Sequence, residues 1–267
     1  MNTKTMIMIP LALFLLLATS CQKKITAPQS VQQFTIQSTV NFGSYLIKVA
    51  LPEDYNGNKK YSTVYLLDGE DNFNFVASQC KKLSDKYAKE NVLVVSIGYG
   101  HNRTLDYTPT NAAEGQGGAP AFMEFISKEL IPRIESDFSV DTNRSSRVII
   151  GHSFGGLFAA YAWTKHHSVF GNYLMLSPSL WYDNEIILQY EQENRASINN
   201  NNQLIFLGIG QLENVGRMQA PFQAFYNQID RNYSGIKLLK NSVSQMDHVG
   251  SKNPNIMKGL EFYFQNK

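Results

Sequence analysis

The sequence predicts an α/β fold, a mostly parallel central sheet of about eight strands with helices on both faces. Three observations carry that reading. Eight short runs rich in β-branched and aromatic residues fall at 33–40, 45–51, 62–67, 92–97, 147–150, 173–176, 203–207 and 236–239. From the third run onward they alternate with helix-like segments near 73–89, 119–137, 155–165, 185–193, 213–232 and 255–264. Such alternation means parallel strands joined by crossover helices. The first two runs are separated only by the turn Asn41-Phe42-Gly43, too short for a crossover, so they form an antiparallel edge.

The elements are taken in chain order. Residues 1–20 carry one charge, Lys4, then an apolar run from Met6 to Ala18 and the small residues Thr19-Ser20 before Cys21. This is the three-part layout of a secretory signal, and the run is too short to span a bilayer. Leu15-Leu16-Leu17 with small residues before Cys21 resembles a bacterial lipobox, with Ala18 in place of the usual leucine. It implies lipid on Cys21 and an exported chain held at the membrane of the cell envelope. Residues 21–30 then read as a polar tether, and residues 31–267 as one domain with no Pro/Ser/Gly-rich linker or repeat to divide it.

Composition narrows the partners. The formal charge of +2 falls to +1 when Lys4 leaves with the signal, far from the basic excess that phosphate-backbone binding requires, so nucleic acid is not expected. With Cys21 lipidated, Cys80 is alone and no disulfide framework exists. The acids of Asp68-Gly69-Glu70-Asp71-Asn72 lack EF-hand spacing, and no His-Glu-x-x-His or paired-cysteine pattern occurs, so neither metal nor cofactor is expected.

The fifth run, Val148-Ile149-Ile150, leads into Gly151-His152-Ser153-Phe154-Gly155 and then into the small-residue helix former Gly156-Leu157-Phe158-Ala159-Ala160. A strand that turns sharply into a helix lifts one side chain clear of the backbone, and the flanking glycines remove Cβ atoms that would clash there. That is a nucleophile elbow in an α/β-hydrolase layout, and it puts Ser153 at the carboxyl end of a strand, where open α/β sheets bind ligands.

A serine hydroxyl needs a base, and the base needs an acid to hold its tautomer, in the chain order Ser, acid, His. Of five histidines only His248 follows at a plausible distance, in the loop between the last strand and last helix. Glu213 is the leading acid because it emerges at the carboxyl end of the seventh strand. The alternative role for Glu213 is a first-turn residue stabilising its own helix, with Asp183 as the reserve acid, while Asp247 adjoins His248 too closely to reach its ring. The N–H of Phe154, at a helix N-terminus, is one oxyanion donor; the N–H of Glu70, after the third strand, is the second, with Gly69 supplying the turn.

At these residues the sequence resembles the esterase family of α/β-hydrolases that includes enterochelin esterases, S-formylglutathione hydrolase and the mycobacterial mycolyltransferases. The resemblance rests on Tyr65-Leu66-Leu67-Asp68-Gly69, Arg103 with Asp106-Tyr107-Thr108-Pro109, residues 122–135, residues 148–161 and Ser177-Pro178-Ser179-Leu180-Trp181, and is strongest toward the siderophore-esterase-like branch. It implies Ser153 as nucleophile, His248 as base, Phe154 and Glu70 as oxyanion donors and Glu213 as acid, in a branch where some members work with a serine-histidine pair alone. Arg103 and Trp181 are expected around the substrate, the alternatives being an Arg103–Asp106 pair and a core aromatic.

The expected function is hydrolysis of a small, siderophore-type or other acyl ester through an acyl-enzyme. One rival is transfer of that acyl group to another alcohol at the same site. A second is a lipid-tethered binding protein without turnover, against which the strained elbow argues.

Overall fold

The computed structural model describes residues 30–198 and 202–267. The signal segment, Cys21 and the tether up to residue 29 lie outside the described residues. The eight predicted strands all form: β1 Val31–Gln37, β2 Ser44–Ala50, β3 Thr63–Leu66, β4 Leu93–Ile97, β5 Arg147–His152, β6 Asn172–Leu176, β7 Gln203–Gly210 and β8 Ile236–Val243. They make one sheet in the order β1-β2-β4-β3-β5-β6-β7-β8. β1 and β2 pair antiparallel and β2 runs antiparallel to β4. Every other neighbouring pair is parallel.

Local chemistry sets where these strands stop. β1 ends at Gln37, short of the predicted 40, because Ser38 starts a turn. Its Oγ accepts from Val40 and Asn41 N–H, and the Asn41 side chain accepts from Gly43 N–H. β7 and β8 run longer than predicted, pairing register by register to Gly210 and Val243. That extension carries the segments after them up to the level of Ser153.

The helices are α1 Gly69–Tyr87, α2 Arg103–Tyr107, α3 Ala119–Phe125, α4 Ile131–Asp137, α5 Phe154–Lys165, α6 Tyr182–Asn194, α7 Ala220–Asn232 and α8 Lys252–Asn266. The predicted helix over 119–137 is α3 and α4 joined by a π turn at Ile126–Leu130. Two elements escaped the sequence pattern. The first is α2, capped by the Asn102 side chain on Thr104 N–H, and the second is a ribbon of Asn111–Ala112 with Gly115–Gln116. Both sit in the long connection after β4, where five residues and two residues give periodicity nothing to register.

Strand alternation sorts the core onto the two faces. Ile149, Tyr173, Met175, Ile205 and Leu207 pack under α3 to α7, and Val148, Ile150, Leu174, Leu176 and Phe206 pack under α1 and α8. Each fully buried side chain of this kind contributes about 1.5–3 kcal/mol. The α5 helix is buried from Gly155 to Thr164, so the element that starts at the elbow is firmly anchored in the core. Cys80 is free and buried among apolar side chains, and burial pushes its thiol up to about 12, which makes it unreactive.

Candidate active site

β5 delivers Ser153 to the N-cap of α5 with φ 61° and ψ −118°, a conformation that costs a non-glycine residue about 1–3 kcal/mol. The surroundings fix it there. Ser153 N–H donates to Leu176 O at 2.9 Å, and Ser153 O accepts from Leu157 N–H at 2.9 Å and Ser179 N–H at 3.1 Å. The elbow glycines act differently from each other. A Cβ on Gly151 would lie 2.2 Å from Gly155 O, a backbone clash that forbids any side chain. A Cβ on Gly155 would meet Asp68 Oδ2 at 3.1 Å. Gly155 therefore makes room for a neighbouring carboxylate more than for the turn itself.

Glu213 follows β7 in a turn closed by its own N–H on Gly210 O at 3.2 Å. Its side chain is fully buried. Oε1 accepts from Ser177 Oγ at 2.6 Å, Gly210 N–H at 2.7 Å and Ser251 Oγ at 3.3 Å, while Oε2 lies 2.8 Å from His248 Nδ1. Burial alone would raise this carboxyl. The bonds from His248, Ser177 and Gly210 outweigh it and hold the group below the usual carboxylate range. The carboxylate thus faces the base, and the helical turns after it begin only at Val215. Asp183, the reserve acid, instead binds Thr110 Oγ1 at 2.5 Å. Asp247 caps its own turn on Gly250 N–H.

His248 is partly exposed, and its Nδ1–H toward Glu213 leaves Nε2 as the basic nitrogen. Sequence patterns gave no role to His152, yet its Nε2 is 2.9 Å from His248 O and the two rings are 4.6 Å apart. Burial, aided by the neighbouring His248, pushes His152 down to about 4. It is therefore neutral near pH 7, and since a carbonyl only accepts, the His152 proton sits on Nε2. Its position between two elbow residues is the signal that would have found it. Ser177 and Ser251, the hydroxyls on Glu213, carried no such signal because their partner lies 36 and 38 residues away.

Phe154 and Glu70 are the first residue of α5 and the second of α1, where an N–H has no acceptor within its helix. The turn into α1 is made by Asp68, φ 53°, rather than by Gly69. Gly69 is needed for packing, because a Cβ there would lie 2.1 Å from Ser96 Oγ and 3.0 Å from Ile97 N. Arg103 lies beside the elbow, but its partner is Asp68 and not Asp106. Nε meets Oδ1 at 2.5 Å, Nη2 meets Oδ2 at 2.8 Å, and Nη2 also donates to His152 O at 2.9 Å. Asp106 takes Tyr45 Oη instead, at 3.0 Å. Trp181 is half-buried, 6.0 Å from the Phe154 ring, with the Arg217 guanidinium 3.7 Å over its face.

Among the described residues no group of three or more His, Cys, Asp or Glu side chains is arranged to hold a metal ion, and no helix is long and apolar enough to cross a membrane. A cavity of about 380 Å³ opens at the amino ends of the strands, lined by Ser62, Asn172, Gln203, Lys237 and Lys267. It lies at the opposite edge of the sheet from Ser153.

The chain is similar in sequence and in fold to known esterases. The chain is 29% identical over 211 residues to the ferri-bacillibactin esterase BesA of Bacillus subtilis, covering 70% of this chain and 72% of that one. It is 29% identical over 172 residues to the siderophore enterobactin esterase of Emericella nidulans, covering 55% of this chain and only 57% of its relative. The crystal structure of the BES protein from Bacillus cereus superposes with a TM-score of 0.80 at 27% identity, over 90% of this chain and 96% of that one. The model of the family described as "Putative esterase" matches residues 42–248, from the β1–β2 turn to the candidate base, and the chain belongs to that α/β-hydrolase family.

Proposed function

We propose that the chain is a serine carboxylic-ester hydrolase acting on a siderophore-type or other small acyl ester. The observation that carries this reading is the buried Glu213 carboxylate 2.8 Å from His248 Nδ1, at the same sheet edge as a serine held at φ 61°. Ser153 Oγ attacks the ester carbonyl as His248 Nε2 takes its proton. The oxyanion that forms is received by the N–H groups of Phe154 and Glu70, both at positive helix ends. Collapse expels the alcohol, which leaves with the proton from His248. Water, activated by the same nitrogen, then clears the acyl group from Ser153. Glu213 stabilises the imidazolium in both halves, and a neutral His152 avoids placing a second cation against it.

The names of the relatives support a siderophore-type ester, and the part-exposed Phe154 and Trp181, with ring centroids 6.0 Å apart and the buried Tyr182 ring behind them, offer an aromatic wall for its acyl part. The test is Ser153→Ala assayed on a catecholate trilactone, a feruloylated sugar and short p-nitrophenyl esters, with a fluorophosphonate probe applied to both proteins. Wild type should hydrolyse at least one ester and be labelled at Ser153, and the variant should do neither. Near-wild-type turnover by the variant would refute the serine mechanism.

The export signal and the lipid on Cys21 belong to the same proposal, supported by the sequence Met6 to Cys21. Metabolic labelling with a fatty-acid analogue should mark the wild-type chain and not Cys21→Ser. An unlabelled chain retaining Met1 would contradict export.

A further inference from the structure

An aspartate at a helix N-cap ordinarily folds its carboxylate back onto a first-turn N–H. Asp68 holds that place before α1 and makes no such bond, and its backbone is left-handed at φ 53°, ψ 40° instead of extended. Both carboxylate oxygens are turned to Arg103, whose Nη2 also reaches the carbonyl of His152, the residue before Ser153. Asp71 N–H already donates to Asp68 O at 3.2 Å. Glu70 N–H is the donor that an ordinary aspartate cap would occupy. The Glu70 side chain is turned aside and accepts from Tyr99 N–H at 3.2 Å. From the same α2 helix as Arg103, Tyr107 Oη accepts the Asp68 N–H at 3.1 Å.

We propose that Arg103 and Asp68 act as a positioning clamp, in which the guanidinium draws the Asp68 carboxylate off the Glu70 N–H and ties the start of α1 to the elbow. This rests on the serine-esterase reading above. Two forces work against the clamp, the helix cap that Asp68 forgoes and the relief of its left-handed backbone. Without Arg103 the carboxylate swings onto Glu70 N–H. It then fills the oxyanion site and puts a negative charge where another must develop. Removing Arg103 alone is therefore worse than removing both partners.

The experiment compares wild type, Arg103→Met, Asp68→Ala and the double variant on p-nitrophenyl acetate and on a larger aryl ester, with fluorophosphonate labelling rates alongside. Loss of one oxyanion donor costs about 10²- to 10³-fold. Arg103→Met should lose about that much kcat on both esters, with KM within about threefold, and its labelling rate should fall in step. Adding Asp68→Ala to it should restore about tenfold. If Arg103→Met instead raises KM on the larger ester and keeps kcat, Arg103 is a substrate-binding residue and the clamp is wrong. A double variant no faster than Arg103→Met also overturns it. Should Arg103→Met fail to fold, Arg103→Lys decides. It keeps the charge without the two-pronged fork, and the clamp requires a kcat loss of about tenfold on the acetate, relieved by Asp68→Ala. Failure of wild type to react with the probe would sink the esterase reading itself, a different result from any of these.

Discussion

Two groups of loops converge on Ser153, and they are held by different physics. On the β6–β8 side, the Glu213 carboxylate is fully buried and receives four hydrogen bonds from a backbone N–H, two hydroxyls and an imidazole. On the β3–β4 side, the polar groups are fixed by the Arg103–Asp68 ion pair, whose guanidinium side chain is 29% exposed. The first arrangement keeps one carboxylate charged by hydrogen bonds, without a permanent cation beside it. The second neutralises a carboxylate all the time. A site that must gain and lose a proton is built from hydrogen bonds, and a site that must only stay open is built from a fixed pair.

The strongest way to break this comparison is on the β6–β8 side. His248→Ala removes the base and should lower kcat by roughly 10⁴- to 10⁶-fold. Glu213→Gln should cost less, about 10²- to 10⁴-fold, because its amide turns an N–H toward Nδ1 and favours the wrong tautomer without removing the base. Asp183→Asn should stay within a few fold, since that carboxylate serves Thr110. Steady-state kinetics on one ester ranks all three. A larger loss at Asp183 than at Glu213 would contradict the assignment of the acid.

How much was legible in the sequence follows the same division. Ser153, Glu213 and His248 each end a strand or follow one closely, so strand order alone brings them to one rim. Asp68 and Arg103 are 35 residues apart, and Arg103 opens a five-residue helix in the 98–118 connection, too short to leave a periodic trace. The sequence therefore put Arg103 near the site and left its partner open between substrate and Asp106. Gly69 looked like the turn-maker because glycine tolerates positive φ, yet Asp68 takes that conformation, since the ion pair with Arg103 supplies what the backbone loses. The bounds of α1 slipped for a related reason. Polar Gly69-Glu70-Asp71-Asn72 reads as a loop, while acidic residues are favourable in the first turn of a helix.

A sharper test of the β6–β8 side uses pH. His152 is neutral and half-buried in the folded chain, with its imidazole pushed from 6.5 down to about 4. Between those values the unfolded chain binds the proton and the folded chain does not, so stability is complete above about pH 6.5 and falls as pH drops toward 4. The loss from pH 7 to pH 5 is about 2 kcal/mol, using about 1.4 kcal/mol per pH unit. Asp106 works in the opposite sense over much of this range. Burial pushes it up to about 6, so the folded chain takes up its proton first and gains stability on acidification. The comparison of a variant with wild type therefore carries the measurement. His152→Gln keeps a donor for His248 O and does not titrate. Denaturant unfolding at pH 7 and pH 5 should show it losing about 2 kcal/mol less than wild type. Equal losses in the two proteins would mean that His152 is protonated in the folded state.

The smallest expected effect concerns the aromatic wall, whose Trp181 stands in the connection after β6. Asp183, Asn184 and Glu185 stand in the left-handed region at φ 43°, 53° and 61°, where each non-glycine residue costs about 1–2 kcal/mol. The turn is tied down at one end, since Asp183 binds Thr110 Oγ1 and Tyr182 Oη donates to Thr110 O at 2.6 Å. Asn184 contributes its carbonyl to Gln189 Nε2, an acceptor that any residue supplies. Asn184→Gly keeps that bond and removes the Cβ penalty, but it adds backbone freedom to the unfolded chain. The net gain is therefore below about 1 kcal/mol, which for a chain of this size is a rise in Tm of roughly 2 °C. Turnover of p-nitrophenyl acetate and of a bulky aryl ester should both be unchanged, because Trp181 is also braced by Phe154 and Arg217. If Tm rises while KM for the bulky ester alone increases, the left-handed turn sets the pose of Trp181, and its strain serves substrate selection in the way that the strained Ser153 serves attack.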